Sequence, residues 1–397
     1  MTPALRSFAV PNYRRYFLGQ LVSLSGTWMQ TIAEMWLVLQ LTHSSVAVGV
    51  AVALQFAPML LIGAWGGLIA DRFDKRRLLL VTQTAMAVPA LALLTLTATG
   101  AIELWMLLAL ICARGAVNAV DNPTRQAFLV ELVGPDRLVN AVSLGSALVN
   151  GARTFGPALA GVVIATAGVV PCFALNALSF GAMLLALHGM DRAALRSAPP
   201  AARRSGQVRR ALRYVRATPE LRIPLALMAI VGTFTFNFQT LLPLLATFSF
   251  GGGAGAYAAL TTAMGLGAIA GAVANGARSR VGPALLAGAS AAFGALVVAA
   301  ALAPSTALAA VALVPVGAAS VVFAASVNSF LQLAVAPHMR GRVMALYSVV
   351  FLGSTPIGGP LMGLLAGAAG PRVALALGGL VALGAAVWAQ SAFARAA

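Results

Sequence analysis

Gly67-Leu68-Ile69-Ala70-Asp71-Arg72-Phe73-Asp74-Lys75-Arg76-Arg77 sets two acids and four bases into a short break between two apolar runs, 46 to 70 and 78 to 98. Each run has about the 20 residues that a helix needs to cross a hydrocarbon core of roughly 30 Å. The same alternation continues in both directions. Apolar runs at 17 to 40, 104 to 126, 141 to 165 and 172 to 190 surround this pair, and six more follow at 223 to 246, 256 to 277, 284 to 304, 307 to 332, 343 to 367 and 372 to 394. The sequence therefore predicts an all-α integral membrane protein with twelve transmembrane helices. Arg6, Arg14 and Arg15 precede the first run, which is too long and too polar for a cleaved signal and is expected to remain as the first span.

Composition excludes a soluble domain. Of 397 residues 60% are hydrophobic and only 9% charged, with a mean hydropathy of +0.92. A soluble surface is normally about a quarter to a third charged. The net charge of +17 suggests nucleic acid at first sight. Position argues against that partner, because the bases form bursts between the spans. When alternate loops are assigned to one side, every Lys and Arg except Arg114, Arg153 and Arg372 falls on a single face or loop set. Short cytoplasmic loops are the ones enriched in bases, so both termini and the linker at 191 to 222 are expected in the cytoplasm. That linker holds Pro199 and Pro200, then Val208, Leu212 and Val215 at helical spacing among arginines. Two readings fit it, an interfacial basic helix and a solvated connector. Cys112 and Cys172 lie inside apolar runs with no metal-ligand spacing. No catalytic triad, metal cluster or phosphate loop stands out, so neither an enzyme nor a cofactor nor a bound metal is expected.

The chain repeats itself at an offset of 202 to 204 residues. Gly115, Ala116, Phe128, Leu129, Val133 and Pro135 recur as Gly317, Ala318, Phe330, Leu331, Val335 and Pro337. Gly156 and Pro157 recur as Gly359 and Pro360; Gly67, Ala70 and Arg76 recur as Gly271, Ala274 and Arg280. The expected organisation is a six-helix bundle over 1–190, a basic linker over 191–222 and a second six-helix bundle over 223–397. Two such halves in parallel repeat, with a cavity where they meet, form a transporter architecture.

The loop from Gly67 to Arg77 resembles the signature loop of the major facilitator superfamily. Its chemistry is intelligible: a small residue lets two helices approach, a carboxylate meets the positive end of a helix, and bases hold the cytoplasmic face. A degenerate copy carries Asn275 where Asp71 stands. The run Asp121, Asn122, Pro123, Thr124, Arg125, Gln126, Ala127, Phe128, with Asn140, Ala141, Asn150, Arg153, Gly156 and Pro157, is similar to the enterobactin-exporter-like branch, which includes siderophore and multidrug efflux. That resemblance implies proton-coupled export of a small molecule across a bacterial inner membrane, by rocking of two halves. It also implies that Asp121 pairs with bases of the signature loop, Arg72 or Arg76, to lock one conformation. The sequence departs from the pattern at Asp74, where a glycine is usual, and in the fifth span, whose Gly156, Pro157 and Gly161 match the antiporter motif only in part.

An ionisable side chain at the bilayer centre costs at least about 2.5–3.5 kcal/mol, so each one points to function. The first span presents Gln20, Ser23, Thr27, Thr31 and Glu34 as one polar stripe, expected to face the cavity. Glu34 lies roughly 25 Å along that helix from its inner end. The fourth span carries Arg114, Asn118, Asp121 and Arg125 on one face, and Pro123 predicts a bend there. In the fifth, Asn150 and Arg153 lie three apart; Arg114 and Arg153 are read as partners either of the carboxylates or of an anionic substrate. Beyond Glu220 the chain has no Asp or Glu at all, so a coupling carboxylate must belong to the first half. Glu34, with no base in its own span, is the first choice and Asp121 the second. The second half offers Thr233, Phe234, Phe236, Asn237, Phe238 and Thr240, a patch suited either to an apolar substrate or to plain helix packing.

The expectation is a monomeric secondary transporter in the lipid bilayer that exports a small hydrophobic or amphipathic compound against protons. Uptake or lipid translocation on the same fold is one alternative. A non-transporting sensor or scaffold is another, though it has no reason to bear the cost of intramembrane charge.

Overall fold

The computed structural model describes residues 3–196, 207–276, 282–336 and 339–395. Pro199, Pro200, Arg280 and Pro337 of the sequence analysis lie outside them, as do the side chains of Asn150, Val208 and Asn275. A short 3-10 helix over Pro3–Ala9 leads into α1 (Pro11–Thr42), α2 (Ser45–Arg72), α3 (Lys75–Ala98), α4 (Leu104–Val133), α5 (Pro135–Ala167) and α6 (Val170–His188). The basic helix α7 (Gln207–Ala217) follows. Then come α8 (Pro219–Phe234), α9 (Phe238–Leu244), a π turn (Leu245–Ser249), α10 (Ala254–Gly276), α11 (Pro283–Ala301), α12 (Thr306–Ala334), α13 (Arg340–Gly353), α14 (Thr355–Ala369) and α15 (Pro371–Ala394).

Among the described residues, eleven stretches are long and apolar enough to cross a membrane, with α8 to the π turn counting as one and α13 with α14 as another. The twelfth span is α1. Its 32 residues measure about 48 Å, and its polar stripe is what lowers its hydropathy. Among the described residues the fold is thus the all-helical, twelve-span one that the hydropathy predicted.

Where spans break, a local cause is present. Between α8 and α9 the Thr235 hydroxyl donates to the Gly378 carbonyl (2.7 Å) and the Asn237 amide to the Thr233 carbonyl (2.7 Å), so side chains replace ladder bonds at Thr235–Asn237. Between α13 and α14, Pro356 enters the first turn of the second helix and has no N–H to continue the first. At the turn from α4 to α5, Gly134 takes φ +74°, a conformation costly for other residues, and Pro135 opens the next helix.

The chain forms two compact units: Met1–Leu41 with Ala57–Ala202, and Thr42–Phe56 with Arg203–Ala397. The first turns of α2 therefore belong with the second half. They pack on α14, where a Cβ at Gly363 would fall 2.7 Å from the Ser45 carbonyl and one at Gly359 2.9 Å from the Gly49 carbonyl. Within each unit the packing repeats. α3 packs on α4 and α6; its counterpart α11 packs on α12 and α15. A glycine brings backbones together in both: Gly66 of α2 against Ala119 of α4, and Gly271 of α10 against Ala318 of α12. Close approach through small residues is how membrane helices associate without a hydrophobic driving force between them.

Candidate functional site

The first unit buries a connected polar network. Glu34 of α1 is fully buried and receives two charged or polar donors on different oxygens: Arg114 of α4 at 2.6 Å on Oε2 and Gln30 at 2.7 Å on Oε1. The Gln30 carbonyl oxygen in turn accepts from the Asn176 amide of α6, and Ser179 donates to Asn176 Oδ1 at 3.0 Å. Three helices are tied by one chain of bonds. Sequence reasoning gave Glu34 no base in its own span; the structure supplies one from α4, and the ion pair removes the argument that set Glu34 apart from Asp121. Gln30, Asn176 and Ser179 were not singled out. Their signal was present, since an amide in the middle of an apolar run must find a partner.

About two turns further along α4 from Arg114, Asp121 is 2% exposed. Its Oδ1 accepts from Thr82 (2.6 Å) and Gln83 (2.8 Å) of α3, and its Oδ2 from Arg125 Nε. The expected pairing with Arg72 or Arg76 does not occur. Arg76 is buried and donates to the carbonyls of Leu187 (2.7 Å) and His188 (3.2 Å) at the end of α6, where the free carbonyls of a helix terminus attract a cation. Arg72 is exposed, and Asp71 and Gly67 are half-buried. The base of this loop that does reach an acid of α4 is Lys75, 3.1 Å from Glu131. Asp74, the departure from the signature pattern, caps α3 by accepting from the Arg77 N–H at 2.7 Å.

The remaining polar candidates of the first unit separate by exposure. Gln20 and Thr27 are half-buried, whereas Thr31 is buried and donates back to the Thr27 carbonyl at 2.9 Å, so the stripe of α1 does not face open space along its whole length. Asn118 is exposed on the face it shares with Arg114 and Asp121. Arg153 is exposed, its guanidinium 5.5 Å from the centre of the Trp28 ring. The call on Asn150 rests on a side chain outside the described residues.

The second unit offers aromatic surface instead of charge. Phe236 packs against Phe293 (5.0 Å between centroids), Phe323 (6.3 Å) and Phe351 (5.7 Å), and Phe351 stacks on Tyr347. Phe238 is buried and touches Phe293, and Phe234 is half-buried. Asn237 is 1% exposed; its Oδ1 and the Thr240 hydroxyl are buried without a hydrogen-bond partner, beside the break between α8 and α9. Of the patch read either as a substrate surface or as helix packing, Asn237 and Phe238 are buried. Phe293, Phe323 and Phe351 went unnamed, since apolar residues in apolar spans carry no periodic signal of their own. Among the described residues no three His, Cys, Asp or Glu converge as metal ligands would.

Known proteins share both the sequence and the fold. The chain is 30% identical over 257 residues to the staphyloferrin A transporter of Staphylococcus aureus, spanning 64% of each chain. It is 25% identical over 268 residues to the enterobactin exporter EntS of Salmonella choleraesuis, covering 67% of this chain and 64% of that one. To the multidrug efflux pump Tap of Mycobacterium bovis it is 27% identical over 180 residues, 43% of this chain and 42% of that one. The matched part is a little under two thirds of the length of the first two relatives and less of the third. Among solved structures, a POT family transporter superposes with a TM-score of 0.78 at 11% identity, covering 95% of this chain and 94% of that one. The nucleoside transporter NupG gives 0.72 at 14%, with coverages of 96% and 99%; both show the fold alone. The family described as transmembrane secretion effector matches residues 2–395. By that match, over nearly its whole length, this chain belongs to the transmembrane secretion effector family of the major facilitator superfamily.

Proposed function

We propose that the protein is a secondary active exporter of a small hydrophobic or amphipathic compound, working by alternating access and driven by proton entry. Its relatives named for siderophore and multidrug transport support the substrate class. The observation that carries the coupling is the buried Glu34–Arg114 pair between α1 and α4. A proton arriving on Glu34 would free the Arg114 guanidinium, converting a titration into a change in how two helices are held. Asp121, bound to Arg125 and to two donors from α3, is assigned to locking the cytoplasmic end of that arrangement. The supply of energy is ample: a potential of 150 mV provides roughly 3.5 kcal/mol per charge, and about 1.4 kcal/mol is a tenfold gradient. Both termini and α7 are placed in the cytoplasm, with the 1–190 and 223–397 bundles moving about the linker of a monomer in a bacterial inner membrane.

The test uses everted membrane vesicles loaded by a proton gradient, with ethidium as the transported probe. Accumulation should collapse on adding a protonophore. Glu34→Gln should abolish proton-driven accumulation while leaving probe binding and energy-independent exchange within about twofold of the parent, since uniform binding is untouched. A Gln variant that still concentrates ethidium with an unchanged pH dependence assigns Glu34 to structure alone.

A further inference from the structure

We propose that Arg153 is the anchor for a carboxylate group, so that organic anions are among the compounds exported. The inference rests on the export reading and names its substrate class. Charge accounting within the first unit leads to it. Among the described residues, Arg114 is paired with Glu34, Arg125 with Asp121 and Lys75 with Glu131. Arg153 enters no such pair; its contact is the face of Trp28. A cation–π contact is worth about 0.5–2 kcal/mol, less than the roughly 2.5–3.5 kcal/mol that an arginine in mid-span costs on insertion scales. The second half cannot supply the balance, because no Asp or Glu follows Glu220.

The helix that carries Arg153 also says where it points. α5 is exposed on two opposite faces. Phe155, Leu159 and Val162, 54–64% exposed, make one apolar stripe along its outer part. Arg153 lies on the other, in register with Val142, Ser146 and Val149 along the inner part. An ionisable side chain within a span is costly against lipid, which favours its being on the face turned away from the lipid-facing apolar stripe. Arg153 therefore shares an exposed stripe with Val142, Ser146 and Val149, turned away from the stripe of Phe155, Leu159 and Val162.

Trp28 fixes the geometry of capture. Its ring lies under the guanidinium, and α5 is held close to α1 by Gly156, where a Cβ would fall 2.6 Å from Trp28 Cβ and 3.0 Å from the Ser25 carbonyl. A guanidinium stacked on an aromatic face keeps its N–H edge free for a bidentate carboxylate. The exposed Val142 and Val149 on the same stripe suit a substrate whose anionic head sits on Arg153 and whose body is hydrophobic.

The experiment is fluorescence polarisation on the purified full chain in nanodiscs, with 5-carboxyfluorescein as the anionic probe and ethidium as the cationic one. Arg153→Gln should weaken carboxyfluorescein binding at least tenfold and leave ethidium within twofold, whereas Arg153→Lys should recover only part of the loss. A competition on the unmodified protein is independent of how any variant folds: benzoate should displace carboxyfluorescein and benzamide should not. Failure of the unmodified protein to bind carboxyfluorescein, equal displacement by benzamide, or an unchanged affinity in Arg153→Gln would each overturn the assignment. Loss of export is read separately, because the vesicle assay tests movement and this one tests equilibrium binding.

Discussion

The two compact units share a packing scheme and almost nothing of its chemistry. In both, the third helix of the repeat packs on the fourth and sixth, and glycines bring the second helix of the repeat onto the fourth. The first unit spends its interior on Glu34, Arg114, Asp121, Arg125 and the amides between them. The second fills the comparable space with Phe236, Phe293, Phe323 and Phe351. A parallel repeat thus conserves what helix association requires, small residues at crossings, and leaves the interior free to diverge. Beyond Glu220 the sequence has no Asp or Glu, so the buried carboxylates belong to the first unit, and shape and dispersion dominate the second.

That division is open to direct attack. The largest expected effect is Arg114→Met, which leaves Glu34 buried without its cation and should cost about 3–5 kcal/mol. Thermal unfolding in detergent reads the loss, and pairing the change with Glu34→Gln should restore most of it. A single variant as stable as the parent would mean that the pair carries no structural weight. Phe293→Ala, from a fully buried ring in the second unit, should cost about 2–4 kcal/mol through lost packing. Its transport should keep the parent's pH profile, and a shifted profile would show that the units do not divide the work in this way.

Asp121→Asn sharpens the first unit's own division. Turnover of ethidium should fall about tenfold with affinity preserved within about twofold, as expected of a group that acts between conformations. Equal loss of both would place Asp121 in binding. Asp74→Ala is the smallest, a lost helix cap worth about 1 kcal/mol in unfolding, with transport rates unchanged. A transport defect there would return the signature loop's second acid to the mechanism.

The spans, the repeat and the confinement of acids to the first half were legible because each is a property of consecutive residues. A window of about 20 residues decides whether a segment crosses the bilayer, and no tertiary contact enters. The α4 face bearing Arg114, Asn118, Asp121 and Arg125 was legible for the same reason, as helical period alone sets it. Even there the structure distinguishes members of one face, leaving Asn118 exposed and Asp121 buried.

Partnership was not legible. Glu34 and Arg114 lie 80 residues apart and Thr82 and Asp121 39, so their meeting depends on which helices neighbour one another and how each is rotated. Arg76 shows the limit well: the family resemblance implied an acid as its partner, but two carbonyls at the end of α6 take its guanidinium. Period and hydropathy likewise left Asn237 and Phe238 open between substrate contact and helix packing; both are buried beside the break after Phe234. Hydropathy and period are one-dimensional and were fixed by the sequence itself; the choice of partner for a buried polar group is settled only when helices pack, because its cost is met by whichever neighbour geometry brings within hydrogen-bond reach.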